Sequence, residues 1–220
     1  KNLLKIRKKL KKNKSEKIYS EKWKILSKND KCYYKDKKCK ILIKTSFIHS
    51  NGLLNNLGMA IKIALDLGIK RNIIEKTIPK IKFSGRVDFI TKGKIISKLK
   101  KNEKLIIDGC HSEVSGKNFA NFLKKIKVTK YGIWGMSTNK DPVKFIKSFD
   151  GVFEKIYTVN IENNKSLSPE KLKVVAKKEN NQSETAKNIL DAIKKISTPE
   201  KKLICVFGSL YLCGNFLEKN

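Results

Sequence analysis

At 220 residues and 40% hydrophobic content, with two tryptophans, the chain carries enough apolar material for one large domain or two small ones, which excludes a wholly disordered or collagen-like polypeptide. Its net charge of +31 is unusual, yet arginine occurs only at Arg7, Arg71 and Arg86, and the other basic residues are lysine. Residues 1–44 hold eighteen Lys or Arg against four acids, and the remaining excess is spread thinly, so the charge reads as solvated lysine faces. A lysine-rich nucleic-acid-binding protein is the alternative that this dispersion disfavours.

The chain opens on a lysine-rich helical stretch, KNLLKIRKKLKKNK, without the apolar core of a secretory signal. No apolar run reaches eighteen residues, so a soluble, cytoplasmic protein with no membrane contact is expected. Alternation around Trp23, Ile25, Tyr33 and Ile41, with Asn29-Asp30 as a turn signal, predicts small antiparallel strands. Leu57, Ala60, Ile61, Ala64, Leu65 and Leu67 recur at helical spacing in LLNNLGMAIKIALDLGI, a helix closed by Gly68, and RNIIEKTIPKI forms a shorter one ending near Pro79.

After residue 84 the pattern changes. Short apolar runs at 104–108 (KLIID), 131–135 (YGIWG), 154–159 (EKIYTV) and 203–208 (LICVFG) alternate with helical segments. The helices are predicted over Glu113–Ile126, PVKFIKSF, Pro169–Lys177 and Ser183–Ile196, which makes an α/β unit with a mostly parallel sheet. Ligands of such sheets bind at the carboxyl ends of strands, where Asp108 and the Gly208-Ser209 turn are expected.

Five cysteines, an odd number with no C-x-x-C pair, fit a reducing compartment, and two histidines are too few for a standard zinc site. Cys110-His111 is not a nucleophile–base pair by adjacency alone, because sequence neighbours seldom face each other productively. Four polar islands remain: Asn56 at a helix start, Gly85-Arg86, Asp108-Gly109-Cys110-His111, and Gly208-Ser209-Leu210-Tyr211. Read singly, Asn56, Asp108 and Ser209 are equally well explained as helix caps, Gly85-Arg86 as a turn, and His111 as a satisfied core or capping residue.

Taken together the order of the islands is informative. LLNNLGMAIKIAL, IKFSGRVDFI, KLIIDGCHSEVSGKNFANFL, GMSTNKD and VFGSLYL closely resemble, in sequence order, the C-terminal half of the folylpolyglutamate synthase/dihydrofolate synthase family, within the Mur ligase superfamily of ATP-dependent amide ligases. The resemblance implies that residues 1–83 end the central ATP-binding domain and residues 84–220 form a Rossmann-like, glutamate-ligase domain. It also implies a C-terminal fragment of a longer monomeric ligase, inactive alone, because no G-x-x-x-x-G-K-[ST] phosphate loop occurs among these residues. Mg2+ ligands are expected upstream, and no metal site within the chain.

By resemblance, Asn56 contacts adenine, Arg86 reaches the ATP phosphates, and Asp108 binds the ribose hydroxyls. His111 and Ser209 hold the incoming L-glutamate, each by donating hydrogen bonds to a carboxylate. Three positions depart from the family pattern: Gly52-Leu53 replaces its His-Gln pair, Ser84 replaces the Pro of Pro-Gly-Arg, and Cys110, Ser112 and Glu113 alter Asp-Gly-Ala-His-Asn-Pro. The implied chemistry phosphorylates a folate or dihydropteroate carboxyl from ATP, after which the glutamate amine displaces phosphate. Another Mur-type amino-acid ligase is the nearest alternative.

Overall fold

The computed structural model describes residues 5, 8, 22–28, 31–45, 51–162, 165–196 and 199–220, so the predicted lysine-rich first helix lies, apart from Lys5 and Lys8, outside the described residues. The chain divides into two units, Lys1–Lys82 and Phe83–Asn220. In the first, strands β1 (Trp23–Lys28), β2 (Lys31–Asp36) and β3 (Lys40–Ile43) form an antiparallel meander. The Asp36 carboxylate accepts the amides of Lys38 and Cys39 at 2.8 and 2.7 Å, an Asx turn that closes the β2–β3 hairpin. Period-2 alternation sends Cys32, Tyr34, Ile41 and Ile43 inward against helices α1 (Asn51–Asp66) and α2 (Arg71–Thr77).

Helix α1 starts at Asn51, so Asn56 sits in its second turn and is exposed there, not at the helix start. The reason lies in the core: Leu54, Leu57, Gly58 and Ile61 form one buried stripe, and Leu54 joins it only if the helix is already formed before Asn56. Gly58 lets the Trp23 ring lie on the helix, since a Cβ there would come within 2.8 Å of the ring.

The second unit is a six-stranded sheet of order β4-β5-β9-β6-β7-β8. Its strands are β4 (Asp88–Ile90), β5 (Glu103–Asp108), β6 (Thr129–Trp134), β7 (Lys155–Thr158), β8 (Ser183–Thr185) and β9 (Lys202–Phe207). All neighbours pair in parallel except the edge strand β4, which runs antiparallel to β5. Helices α3 (Glu113–Lys124), α4 (Pro142–Ile146) and α5 (Pro169–Lys178) contribute to the core on one face; α6 (Ile189–Lys195) and α7 (Leu210–Lys219) contribute to that on the other. Strand β9 shows why its sequence is continuously apolar: Leu203, Cys205 and Phe207 enter one core, Ile204 and Val206 the other.

The predicted helix over Ser183–Ile196 is replaced by a strand and a shorter helix. Ser183, Glu184 and Thr185 pair with Ile156, Tyr157 and Thr158 of β7, filling an edge that would otherwise leave backbone groups unpaired. Asn188 then starts α6 by accepting the Asp191 amide at 3.0 Å. Strand β4 likewise went unread, because three residues carry too little periodicity to register.

Phe207 is fully buried, with ring centroids of Phe149 and Phe153 at 4.8 and 5.1 Å. Phe207→Ala should cost about 3–5 kcal/mol of unfolding free energy, measured by chemical denaturation.

Candidate functional site

Strand β9 is inserted between β5 and β6, so Asp108, Phe207 and Trp134 stand in register at the carboxyl ends of three adjacent parallel strands. Three loops therefore leave the sheet side by side. Gly208 makes their closeness possible: its φ is 107°, and a Cβ there would lie 2.5 Å from the Gly135 carbonyl oxygen and closer still to the Trp134 ring. Gly109 has the same role against Leu210, whose Cγ would be 2.5 Å from an added Cβ.

Asp108 is only 5% exposed. One carboxylate oxygen accepts the Val87 amide at 2.8 Å and the other the Cys110 amide at 2.8 Å. Burial pushes its carboxyl above the ordinary value, while those two amides and the Arg86 charge pull it back. The Gly85 carbonyl accepts the Gly109 amide at 2.8 Å, which seats the Ser84–Val87 turn on the end of β5. Arg86, half-buried, and Asp108 are thus brought together, although 22 positions separate them in the sequence.

His111 and Ser209 also meet, as walls of one cavity of about 430 Å³ shared with Thr138, Lys140, Lys165 and Tyr211. That size lies within the range of small-molecule sites. The His111 Nδ1 is 3.1 Å from the Gly109 carbonyl oxygen, which can only accept, so Nδ1 carries the proton. In the neutral ring Nε2 is then an acceptor, and the expectation that His111 donates to a carboxylate holds only for the imidazolium. Ser209 is 3% exposed and caps α7 by accepting the Tyr211 amide at 3.2 Å, so its hydroxyl proton points to another partner. Ser112 caps α3 through a capping box with Ser115, and Ser115 Oγ also accepts the His111 amide at 3.2 Å. The loop carrying His111 is therefore held at both ends.

Asn56 lies in the other unit, exposed on α1. Thr138, Lys140, Lys165 and Tyr211 went unassigned in the sequence; the signal for Lys165 was its place in the loop after β7, at the same carboxyl edge. Thr138 and Lys165 face each other because the Thr138 amide donates to the Lys165 carbonyl at 3.1 Å, beside a Ser137–Ser166 bridge. Cys110 is 1% exposed, and burial pushes its thiol well up, with the neighbouring Asp108 charge adding to the shift; it is no thiolate nucleophile. Cys213 is likewise pushed up to about 12 by burial. Among the described residues no group of His, Cys, Asp or Glu is arranged to hold a metal ion, and no helix is long and apolar enough to cross a membrane.

Comparison with known proteins bears on the family and the fold. Residues 91–219 match the family described as dihydrofolate synthetase, C-terminal domain. The fold is similar to Escherichia coli FolC in complex with DHPP and ADP, with a TM-score of 0.70 and 14% identity over 90% of this chain and 46% of that one. It is similar to folylpolyglutamate synthase from Thermotoga maritima, with a TM-score of 0.71 and 19% identity over 98% of this chain and 51% of that one. A bifunctional folylpolyglutamate synthase/dihydrofolate synthase from Yersinia pestis complexed with AMPPNP and Mn gives a TM-score of 0.70 and 13% identity over 90% and 46%. The chain thus spans about half the length of the solved structures it matches. A search of curated proteins finds no match.

The raised carboxyl of Asp108 has a sign that can be tested. A group whose folded pKa exceeds its unfolded value of 3.8 supports the folded state in acid, and that support is lost as pH rises through the folded value. Asp108→Asn has no such dependence. The stability of the unaltered chain relative to Asp108→Asn should therefore fall as pH rises above the unfolded value of 3.8, as read by urea denaturation.

Proposed function

The chain belongs to the dihydrofolate synthetase C-terminal domain family, and from that premise we propose that it supplies the C-terminal part of an ATP-dependent ligase joining L-glutamate to a folate or dihydropteroate carboxylate. The observation that carries this reading is that the matched span, 91–219, contains Asp108, His111 and Ser209, all at one carboxyl edge, where His111 and Ser209 line a cavity. Similar structures that hold ADP with DHPP, or AMPPNP with Mn, support a nucleotide and a small acid as substrates.

In this reading ATP transfers its terminal phosphoryl group to the acid, and the glutamate amine adds to the acyl phosphate carbon and expels phosphate. Such a reaction depends on positioning and charge neutralisation more than on a protein nucleophile. Arg86 presents its planar fork to the nucleotide phosphates, and Asp108 lies beside it toward the ribose. Ser209 donates its hydroxyl proton to a glutamate carboxylate. His111, its Nδ1 turned to the Gly109 carbonyl, presents Nε2 to the incoming glutamate and helps to hold it. Lys140 and Lys165 raise the positive potential of the same cavity. The metal, Mg2+ in this reading, is held by residues outside this set. The ligase acts as a cytoplasmic monomer on small molecules, without nucleic acid.

Arg71 provides an internal control for the lysine-rich background. It opens α2, is exposed, and pairs through Nε with Glu75 at 2.8 Å. In the complete ligase Arg86→Ala should raise the KM for ATP about ten- to a hundredfold, the loss of a charge-assisted fork worth roughly 1.5–3 kcal/mol. Arg86→Lys should recover part of it, since ammonium keeps charge without bidentate geometry. Arg71→Ala should leave steady-state kinetics at varied ATP unchanged. Equal effects at both positions would refute the assignment.

A further inference from the structure

Among the described residues two non-glycine positions have positive φ, Asn180 at 58° and Val87 at 49°. Asparagine tolerates this left-handed region, and Asn180 occupies it just beyond the end of α5. Valine does not tolerate it, because its branched Cβ crowds the backbone, so something outside the residue has to hold Val87 there. The hydrogen bonds identify it. The Val87 amide donates to Asp108 Oδ2 at 2.8 Å, and the other Asp108 oxygen is pinned by the Cys110 amide. On the far side of Arg86, Gly85 is also left-handed at 70°, its carbonyl bound to the Gly109 amide and its own amide 3.3 Å from Asp88 Oδ2. The Arg86 amide closes the turn onto the Phe83 carbonyl at 3.3 Å.

Arg86 is therefore gripped through both neighbours, and the grip on Val87 comes from a buried carboxylate with no freedom to move. We propose that Asp108 is a positioning residue for Arg86: by holding Val87 left-handed it fixes where the guanidinium stands, in addition to any contact of its own with a ligand. This rests on the reading that Arg86 meets the nucleotide phosphates. An Asn at 108 keeps one acceptor oxygen but turns an NH2 toward one of the two amides, so the grip on Val87 or on Cys110 is lost.

The test is ADP binding to the complete ligase by isothermal titration calorimetry, with thermal melts to establish that each variant is folded. Asp108→Asn should weaken ADP about tenfold, as expected for a misplaced charge-assisted contact. Adding Val87→Gly to Asp108→Asn should restore most of that loss, because glycine takes positive φ without a clamp. A direct ligand contact of Asp108 would not be rescued in this way. Val87→Pro removes the amide donor and forces φ near −65°, leaves the Asp108 carboxylate intact, and should weaken ADP as Asp108→Asn does; it carries the test if Asp108→Asn does not fold. A double variant no tighter than Asp108→Asn, or a Val87→Pro variant that binds as the unaltered protein does, would overturn the proposal. If Arg86→Ala binds ADP normally, the phosphate reading itself fails; if Arg86→Ala is weakened and no rescue occurs, only the positioning role is lost.

Discussion

The insertion of β9 between β5 and β6 is the constraint on which the second unit depends. Six-residue parallel ladders on both sides fix the register, and from it the alignment of Asp108, Phe207 and Trp134 follows. A strand buried on both faces is apolar wherever its side chains find no polar partner, and Leu203–Phe207 are, whereas the buried Lys202 at its start is paired with Glu103 at 3.4 Å. Its entry also forces the chain to leave the sheet between two other loops, which only glycine at 208 permits. A crevice at such a point collects backbone amides, helix starts and strand-end side chains within reach of one ligand, which is why this edge, rather than the opposite one, carries the three polar islands of this unit.

Desolvation then sets the chemistry of each group at that edge. The same burial pushes the Cys110 and Cys213 thiols and the Asp108 carboxyl up, but the carboxylate finds two amide donors and an arginine that pull it back, where the thiols meet the Asp108 negative charge, which adds to their shift. His111 shows the complementary effect, with the Gly109 carbonyl deciding which ring nitrogen carries the proton. None of these properties belongs to the side chain in isolation. Each is conferred by a backbone group that the sheet register has placed.

That division explains what could be read from the amino-acid sequence. Strands β5, β6, β7 and β9 and helices α3 and α5 were legible because burial on both faces, or on one stripe, imposes a run or a period that survives in the residue types. Strand β8 was not, since Ser183-Glu184-Thr185 becomes a strand only because β7 offers a free edge. The start of α1 was misplaced at Asn56 because a polar residue before an apolar period looks like a cap, and the burial of Leu54, which shows otherwise, is a tertiary fact. The polar islands were visible through resemblance to known motifs, whereas Lys165 belongs to no motif and is brought to the cavity only by its pairing with Thr138. The left-handed backbone of Val87 had no signal at all, because nothing in a valine announces positive φ.

Abundant lysine invites the view that the cations at this edge are background, but the turn around Arg86 argues against that for this residue. A solvated cation on a surface turn asks nothing of its backbone; Arg71, exposed on the first turn of α2 and paired with Glu75, is an example. At Arg86 the backbone adopts a conformation that costs a branched residue roughly 1–2 kcal/mol at Val87, a sum of the same order as the charge-assisted hydrogen bond that the Val87 amide donates to Asp108 and that offsets it. Two opposing contributions of that size, set against each other across 21 residues of sequence, give no net stability. What they do give is a single geometry for the residue between Gly85 and Val87, and a fixed geometry is of use only to a side chain that has something to meet.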